Sequence, residues 1–363
     1  LLAYHSVENI GIILLGLGLG VLGVAMHLPG LAVIGLAGAL LHVVNHAVFK
    51  GLLFLGAGAV AQAAGTREIN RLGGLLRRMP RTGACFLTGA VAICGLPPLN
   101  GFVSEFILYF GAVQAALSPA AAVAVPALAL VAGLALFGGL AAACFAKAFG
   151  VIFLGEPRSE DGRDARETPA AMLVPMTILA AACFALGLLG PLAAGVAARA
   201  VPSWGGLTPA VVEGQMAPVV YTLSLVSLVG GGAAGLVILL AGLRFRQLRR
   251  RQATQGTTWD CGYAEPTPRM QYTATSFAQP LTALFRPLLR TRLHIGRLSG
   301  LFPEGTSLHT ETPDLFRQRV IEPFLEGAWR ELSGLRRFQH GQAHLYVLYI
   351  AVTLLILLLW KLA

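Results

Sequence analysis

Three titratable residues recur at every fourth position in an otherwise apolar stretch: His42, His46 and Lys50, with Asn45 beside them. On an α-helix that spacing puts all three on one face, over about 12 Å of axis. Imidazoles titrate near neutral pH, and a lysine adds a third group able to exchange protons. A line of such groups is what stepwise proton transfer between side chains and intervening water requires. Two other uses of the pattern stay open. His-x-x-x-His on a helix can ligate zinc, although no carboxylate or cysteine at helical spacing completes a site. The histidines can also satisfy neighbouring carbonyls while Lys50 snorkels. The stretch of about 14 mostly apolar residues after Lys50 makes snorkelling difficult.

Further ionisable residues stand in similar surroundings. Glu105 follows the run Leu96-Pro97-Pro98-Leu99-Asn100-Gly101, where two residues without amide hydrogens must break a helix. A carboxylate beside such a break can meet water and free backbone groups, which makes it a candidate proton site; the alternative is a cap on the next helix's first turn. His5 and Glu8 lie three apart, followed by Asn9, and form either a polar access point or an interfacial cap. Lys147 ends a long apolar run about seven residues before the expected helix end, and is either buried or snorkelling. Gly16, Gly18, Gly20 and Gly23 mimic a dinucleotide fingerprint but sit inside an apolar span, where close helix packing explains them better. No Walker motif, catalytic triad or redox-ligand set is seen, so the sequence suggests no catalytic, metal or cofactor-binding residues of its own. Cys85, Cys94, Cys144 and Cys183 lie in apolar stretches without paired spacing, and Cys261 stands alone.

These residues matter because of where the composition places them. Of 363 residues, 56% are hydrophobic and only 12% charged, against about 25% charged in a soluble domain. Mean hydropathy is +0.71. This is an all-α, polytopic membrane helix bundle; a soluble enzyme, a disordered tail and a disulfide scaffold are excluded. A charge at mid-bilayer costs about 3 kcal/mol or more and faces a bundle interior. About eight transmembrane segments are expected: 7–26, 32–64, 82–97, 99–118, 122–153, 170–198, 218–243 and 343–361. The net charge of +10 is carried by connectors, which fits loops that orient helices and not a nucleic-acid surface. The chain opens on Leu1-Leu2-Ala3-Tyr4, without methionine or a charged leader, and so looks like one that starts in mid-protein.

The arginine run from Arg244 to Arg251 should face the cytoplasm. Counting back two crossings puts the 154–169 connector there too, with Arg158, Arg163 and Arg166. The same count places 66–81 on the other side despite its five arginines, so the charge pattern contradicts itself at that loop. After the run come about 90 mixed residues, in which Phe316, Val320, Phe324, Ala328, Leu332 and Leu335 recur at spacings of three and four. Arg317, Glu322, Glu326, Arg330 and Arg337 fall mostly elsewhere. The pattern predicts an amphipathic helix over 314–338, interrupted by Pro323, lying on the membrane surface or a partner, or else packed on its own loop.

The run Leu2 to Gly11 (LAYHSVENIG), the run His42 to Leu55 (HVVNHAVFKGLLFL) and Gly95 to Glu105 (GLPPLNGFVSE) together resemble the antiporter-like proton-conducting subunits of respiratory complex I and its superfamily. That superfamily includes multi-subunit sodium/proton antiporters and membrane-bound hydrogenases. Trp259-Asp260-Cys261-Gly262-Tyr263 and the run Pro268 to Ala278 (PRMQYTATSFA) resemble the branch formed by the antiporter-like membrane subunits of hydrogenase-4 and formate hydrogenlyase. The resemblance implies the second of two inverted five-helix repeats over 1–155, two further spans over 156–243, a cytoplasmic-side polar region with a lateral helix over 244–342, and a last span over 343–363. His42, His46 and Lys50 would lie on the family's central hydrophilic axis, Glu105 at its broken-helix position and Lys147, more loosely, in the repeat's last helix. The first-repeat glutamate–lysine pair would lie upstream. The implied role is proton translocation within a redox-driven complex of the inner membrane, with other membrane subunits and soluble nickel–iron hydrogenase-like subunits as partners and no cofactor in this chain. A cation/proton antiporter without redox partners and a structural membrane anchor are the rival expectations.

Overall fold

The computed structural model describes residues 1–249, 267–296, 308–334 and 341–362. The chain divides into two compact units, Leu1–Phe277 and Ala278–Ala363. The first unit therefore covers both the 1–155 and the 156–243 regions. Trp259–Tyr263, Arg250, Arg251, Leu335 and Arg337 lie outside the described residues.

In hydrocarbon every backbone amide and carbonyl must be paired within the protein, which leaves the helix as the natural form for these apolar runs. The first unit contains α1 (Leu2–Ala25), α2 (Pro29–Ala64), α3 (Pro80–Ile93), α4 (Asn100–Ala116), α5 (Ala121–Phe153), the short α6 (Glu160–Asp164), α7 (Ala170–Leu188), α8 (Gly190–Ala198), the short α9 (Pro202–Gly205) and α10 (Pro209–Leu248). Among the described residues six helices are long and apolar enough to cross a membrane: α1, α2, α5, α7, α10 and, in the second unit, α14 (Ala343–Leu362). The protein is a multi-pass membrane protein.

α2 runs through the middle of the first unit. It opens on Pro29, whose missing amide hydrogen costs nothing in a first turn, and closes on Gly65 in the left-handed region at φ 64°. α1 packs against it through small residues. A side chain on Gly23 would put Cβ 2.3 Å from the Ala32 amide nitrogen, and one on Gly35 would put it 2.4 Å from the Gly20 nitrogen. Gly16 is equally confined by Leu108 and Ala39, whereas Gly18 faces open space. Gly16, Gly20 and Gly23 of α1 thus permit close contact between helices.

α3 and α4 resolve the contradiction in the charge count. They have 14 and 17 residues, and neither spans a bilayer alone. At the start of α3, the Thr82 hydroxyl bonds Glu167 at 2.6 Å. Near the end of α4, Gly111 lies against Ile34, close to the start of α2. The pair is therefore one traversal interrupted at mid-depth, with Gly95 at φ 62° and a cis Pro97–Pro98 bond in the break. The connectors 65–79 and 154–169 consequently emerge at the same end. Gly74 N–H donates to Leu154 O at 2.9 Å, Arg77 pairs with Glu156 at 2.9 Å, and Ser159 donates to Arg71 O at 2.9 Å. α10 starts at the opposite end, where Gln215 meets Gly30, passes Pro98 at Gly230, and carries Arg244, Arg246 and Arg249 toward the connector end. The arginine-rich connectors thus share one end, while Arg199, just past α8, stands at the other. Counting the two halves of one broken helix as two crossings caused the mismatch. The expected 170–198 span is likewise two helices, α7 and α8, meeting at Leu189.

The second unit comprises most of α11 (Ala274–Leu284), then α12 (Arg286–Leu289), α13 (Glu322–Ser333) and α14. Between α12 and α13 a small antiparallel pair joins β1 (Arg292–Ile295) to β2 (Leu308–Glu311), with Arg292 opposite Glu311. These strands are absent from the sequence expectation. The expected amphipathic helix is present as a π-helical turn over Arg317–Ile321 that leads into α13. Pro323 sits in the first turn of α13, where it breaks no hydrogen bond. Phe316, Phe324, Trp329 and Leu332 are exposed, and Arg317–Glu322 and Arg330–Glu326 pair at 3.0 and 3.5 Å.

Two outcomes follow from this packing. Gly23→Leu should lower thermal stability in detergent by about 1–3 kcal/mol or more, whereas Gly18→Leu should leave the melting temperature near the parent value. In a cysteine-depleted background, cysteines at Arg71 and Arg163 should both react with a membrane-impermeant maleimide from the same side. Opposite labelling would contradict the single broken traversal.

Candidate functional site

The polar residues of α2 meet the helix break. His42 is fully buried, and Asn45 and Lys50 are nearly so. Their spacing places them on the side of α2 that faces α1 and the first turns of α4. The break exposes backbone groups in the bundle interior, and α2 supplies partners for them. Asn45 Nδ2 donates to Asn100 O at 2.8 Å, and Asn100 Nδ2 returns a bond to Asn45 O at 3.3 Å. One turn later, Ser104 receives a second Asn45 hydrogen bond at 3.0 Å.

His42 is held at both ring nitrogens. Nδ1 lies 2.9 Å from Ser104 Oγ, and Nε2 lies 3.2 Å from Asn9 Oδ1 on α1. Asn9 in turn donates to His5 O at 2.8 Å, which fixes its oxygen toward the imidazole. The Ser104 hydroxyl has a second acceptor, Gly101 O at 3.2 Å. A hydroxyl carries one hydrogen and two lone pairs. With His42 neutral and protonated at Nε2, Ser104 donates to Nδ1. With His42 doubly protonated, Nδ1–H donates to Ser104, which turns its hydrogen to Gly101 O. The ring can accept or release a proton at Nδ1 with no hydrogen bond left unmade. Both nitrogens being occupied also leaves none free for a metal, against the zinc alternative.

Toward the connector end the face continues through His46 and Lys50. The His46 ring meets Phe49 edge-on at 5.6 Å between centroids, and Lys50 Nζ donates to Leu2 O while lying 5.5 Å from the Phe54 ring centre. On α1, His5 pairs with Glu8, and the His5 ring rests 4.8 Å from that of Phe145 on α5. Glu8 lies within electrostatic reach of both Lys50 and Glu105. The Glu105 carboxylate is directed into the break. A Cβ on Gly95 would come within 2.3 Å of Glu105 Oε2, so this glycine is required both by its positive φ and by the carboxylate beside it.

His5, Glu8, His42, His46, Lys50 and Glu105 are thus gathered around the junction of α1, α2 and the broken traversal. Lys147 is not among them: it lines a separate cavity near the connector end, with Arg158 and Gln271. The titratable residues did not by themselves point to Asn9, Asn100 and Ser104, which link them. Each is an uncharged polar residue next to a titratable group or the proline break, and that adjacency was the available signal. Asn45 Oδ1, His46 Nε2 and Asn100 Oδ1 are buried and have no hydrogen-bond partner among the described residues. Buried polar atoms of this kind are ordinarily satisfied by water.

Residues 1–130 match the transmembrane family described as NADH:quinone oxidoreductase/Mrp antiporter. Over 99% of its length the chain is 36% identical to hydrogenase-4 component B of Escherichia coli K12, and over 88% it is 38% identical to formate hydrogenlyase subunit 3 of the same organism. It spans 54% and 50% of those two proteins, about half of each. The solved membrane-bound sulfane sulfur reductase, an archaeal respiratory membrane complex, shares the fold over 98% of this chain and 56% of its own, with a TM-score of 0.56 at 19% identity. Over residues 1–130, which hold the broken traversal and the polar face of α2, the chain is similar to the NADH:quinone oxidoreductase/Mrp antiporter transmembrane family.

Proposed function

We propose that the chain moves protons through the membrane as an antiporter-like subunit of a redox-driven complex. The observation that carries this reading is His42, whose two hydrogen-bonded states differ by one proton and by the direction of one serine hydroxyl. A conducting site needs groups that load and unload without breaking their surroundings, and this one does so at the helix break. His46 and Lys50 continue the path along α2, and Glu105 supplies the carboxylate opposite them. Water on the unpartnered atoms of Asn45, His46 and Asn100 bridges the gaps between side chains. His5 and Glu8 form the polar access point on α1.

The path works electrostatically. Moving a charge near Glu8 alters the balance between Lys50 and Glu105, and protons redistribute along the interacting groups as a set and not one residue at a time. A one-unit change in proton affinity corresponds to about 1.4 kcal/mol, within reach of one ion-pair rearrangement in a water-poor interior. The names of the two Escherichia coli relatives support placing the chain beside other membrane subunits and soluble hydrogenase-like partners that carry the redox groups. The shared arginine-rich end then faces the cytoplasm of an inner membrane.

The test is proton translocation by the assembled complex in vesicles, measured together with its electron transfer. His46→Ala and Lys50→Ala should abolish pumping and leave electron transfer partly intact. Glu105→Gln and Ser104→Ala should each reduce pumping about tenfold or more, with Ser104→Thr restoring it. Full pumping in both the His46 and Lys50 variants would overturn the relay. Co-purification without any redox subunit, together with rescue of salt-sensitive growth, would favour a cation/proton antiporter instead. Undiminished pumping in Glu105→Gln would favour a structural anchor.

A further inference from the structure

Lys147 and Arg158 form a cationic pocket that the proton path does not use. The pocket, about 240 Å³, lies between the last two turns of α5, the connector after it and the segment from Gln271 to Phe277. Arg158 gives its terminal N–H groups to three backbone carbonyls: Leu72 O at 2.8 Å, Val151 O at 3.3 Å and Tyr272 O at 2.7 Å. Carbonyls are dipoles and do not neutralise its charge. Its Nε is buried and has no acceptor among the described residues, and burial without a counter-charge pulls the guanidinium below its usual range. Lys147 likewise has no hydrogen-bond or ion-pair partner among the described residues. Among the described residues no carboxylate lines the pocket; the nearby Glu156 is paired with Arg77 at 2.9 Å. Two cations therefore share one cavity with no anion from the described residues.

Position and lining indicate what would supply it. Lys147 lies about 9 Å below the end of α5, at the end of the bundle where the arginine-rich connectors collect. That is the depth at which a helix leaves hydrocarbon for the headgroup layer. Val151, Leu154 and Phe277 give the pocket an apolar rim beside its charged centre. We propose that this pocket binds the phosphate of an anionic phospholipid, with Lys147 donating to its oxygens, the Arg158 charge attracting it and an acyl chain lying along the apolar rim. The Gln271 side chain, which bonds Glu156 N at 2.8 Å and Glu156 O at 3.1 Å, holds the 271–277 segment in place as the pocket's outer wall.

The experiment uses the full chain in mild detergent. Thermal unfolding and native mass spectrometry are followed while dioleoylphosphatidylglycerol, dioleoylphosphatidylcholine or inorganic phosphate is added. Phosphatidylglycerol should raise the melting temperature and remain bound as a single adduct, and the other two should not. Lys147→Gln should weaken that binding about tenfold, which corresponds to about 1.4 kcal/mol, and Lys147→Arg should retain it. Because Arg158 also ties the connectors together, Arg158→Lys is read by the rise in melting temperature that phosphatidylglycerol produces over the variant's own lipid-free value, and that rise should shrink. Unchanged phosphatidylglycerol affinity in Lys147→Gln would overturn the proposal, as would an equal effect of phosphatidylcholine. Stabilisation by inorganic phosphate alone would overturn the lipid assignment, and absence of any lipid effect in the parent would point instead to a carboxylate from a partner subunit.

Discussion

A helix that breaks inside hydrocarbon leaves backbone groups that must find partners within the protein, and the rest of the first unit is arranged around that demand. The break between α3 and α4 is tolerable because α2 passes beside it with Asn45, which binds Asn100 O and Ser104 at once. Those bonds in turn fix Ser104 where it can serve His42. The polar cluster is thus both the structural answer to the break and the origin of its chemistry. A fully apolar α2 would strand the exposed backbone, and an unbroken α4 would leave the buried polar side chains of α2 without acceptors, at a cost of several kcal/mol for each group.

Much of this was legible in the sequence, for identifiable reasons. Periodicity placed His42, His46 and Lys50 on one face, because spacing by four is a property of the helix and not of its neighbours. Pro97 and Pro98 announced the break locally, since a missing amide hydrogen disrupts a helix whatever surrounds it. The outcome of the break was not legible. Whether 82–97 and 99–118 cross separately or form one traversal depends on where the connectors return, and the contact between Gly74 and Leu154 is long-range. For the same reason the sequence could not separate Lys147 from the other candidates, because its helix face is decided by packing against the 271–277 segment. The strand pair of the second unit escaped because four-residue strands leave almost no periodic signal.

Charge is distributed with the same economy. The low charged fraction marks the chain as a membrane protein, and its charges fall into two populations. One is the arginine-rich connector end, where Arg77 pairs with Glu156 and Glu167 accepts from the Arg81 backbone N–H. The other is the interior group on α1, α2 and α4, where His5 pairs with Glu8 and His42 is held by the neutral partners Asn9 and Ser104. Neutral partners suit an interior whose charge state is meant to vary: an amide or hydroxyl reorients when a neighbour changes protonation, whereas losing one member of a buried ion pair leaves the other uncompensated.

The interlocked glycines of α1 and α2 set a tempo as well as a fit. With the Gly20 and Gly35 backbones in contact, and Gly23 seated against Ala32, the two helices cannot slide along one another without steric overlap. Slow shear between them, a motion of microseconds to milliseconds, is therefore closed to this part of the bundle. Rotation of individual hydroxyls, amides and rings remains, and in exposed positions it takes picoseconds to nanoseconds. Events at the α1–α2 seam are in this way uncoupled from the large-scale breathing of the bundle, and its rigid backbone serves as a frame for fast local switching.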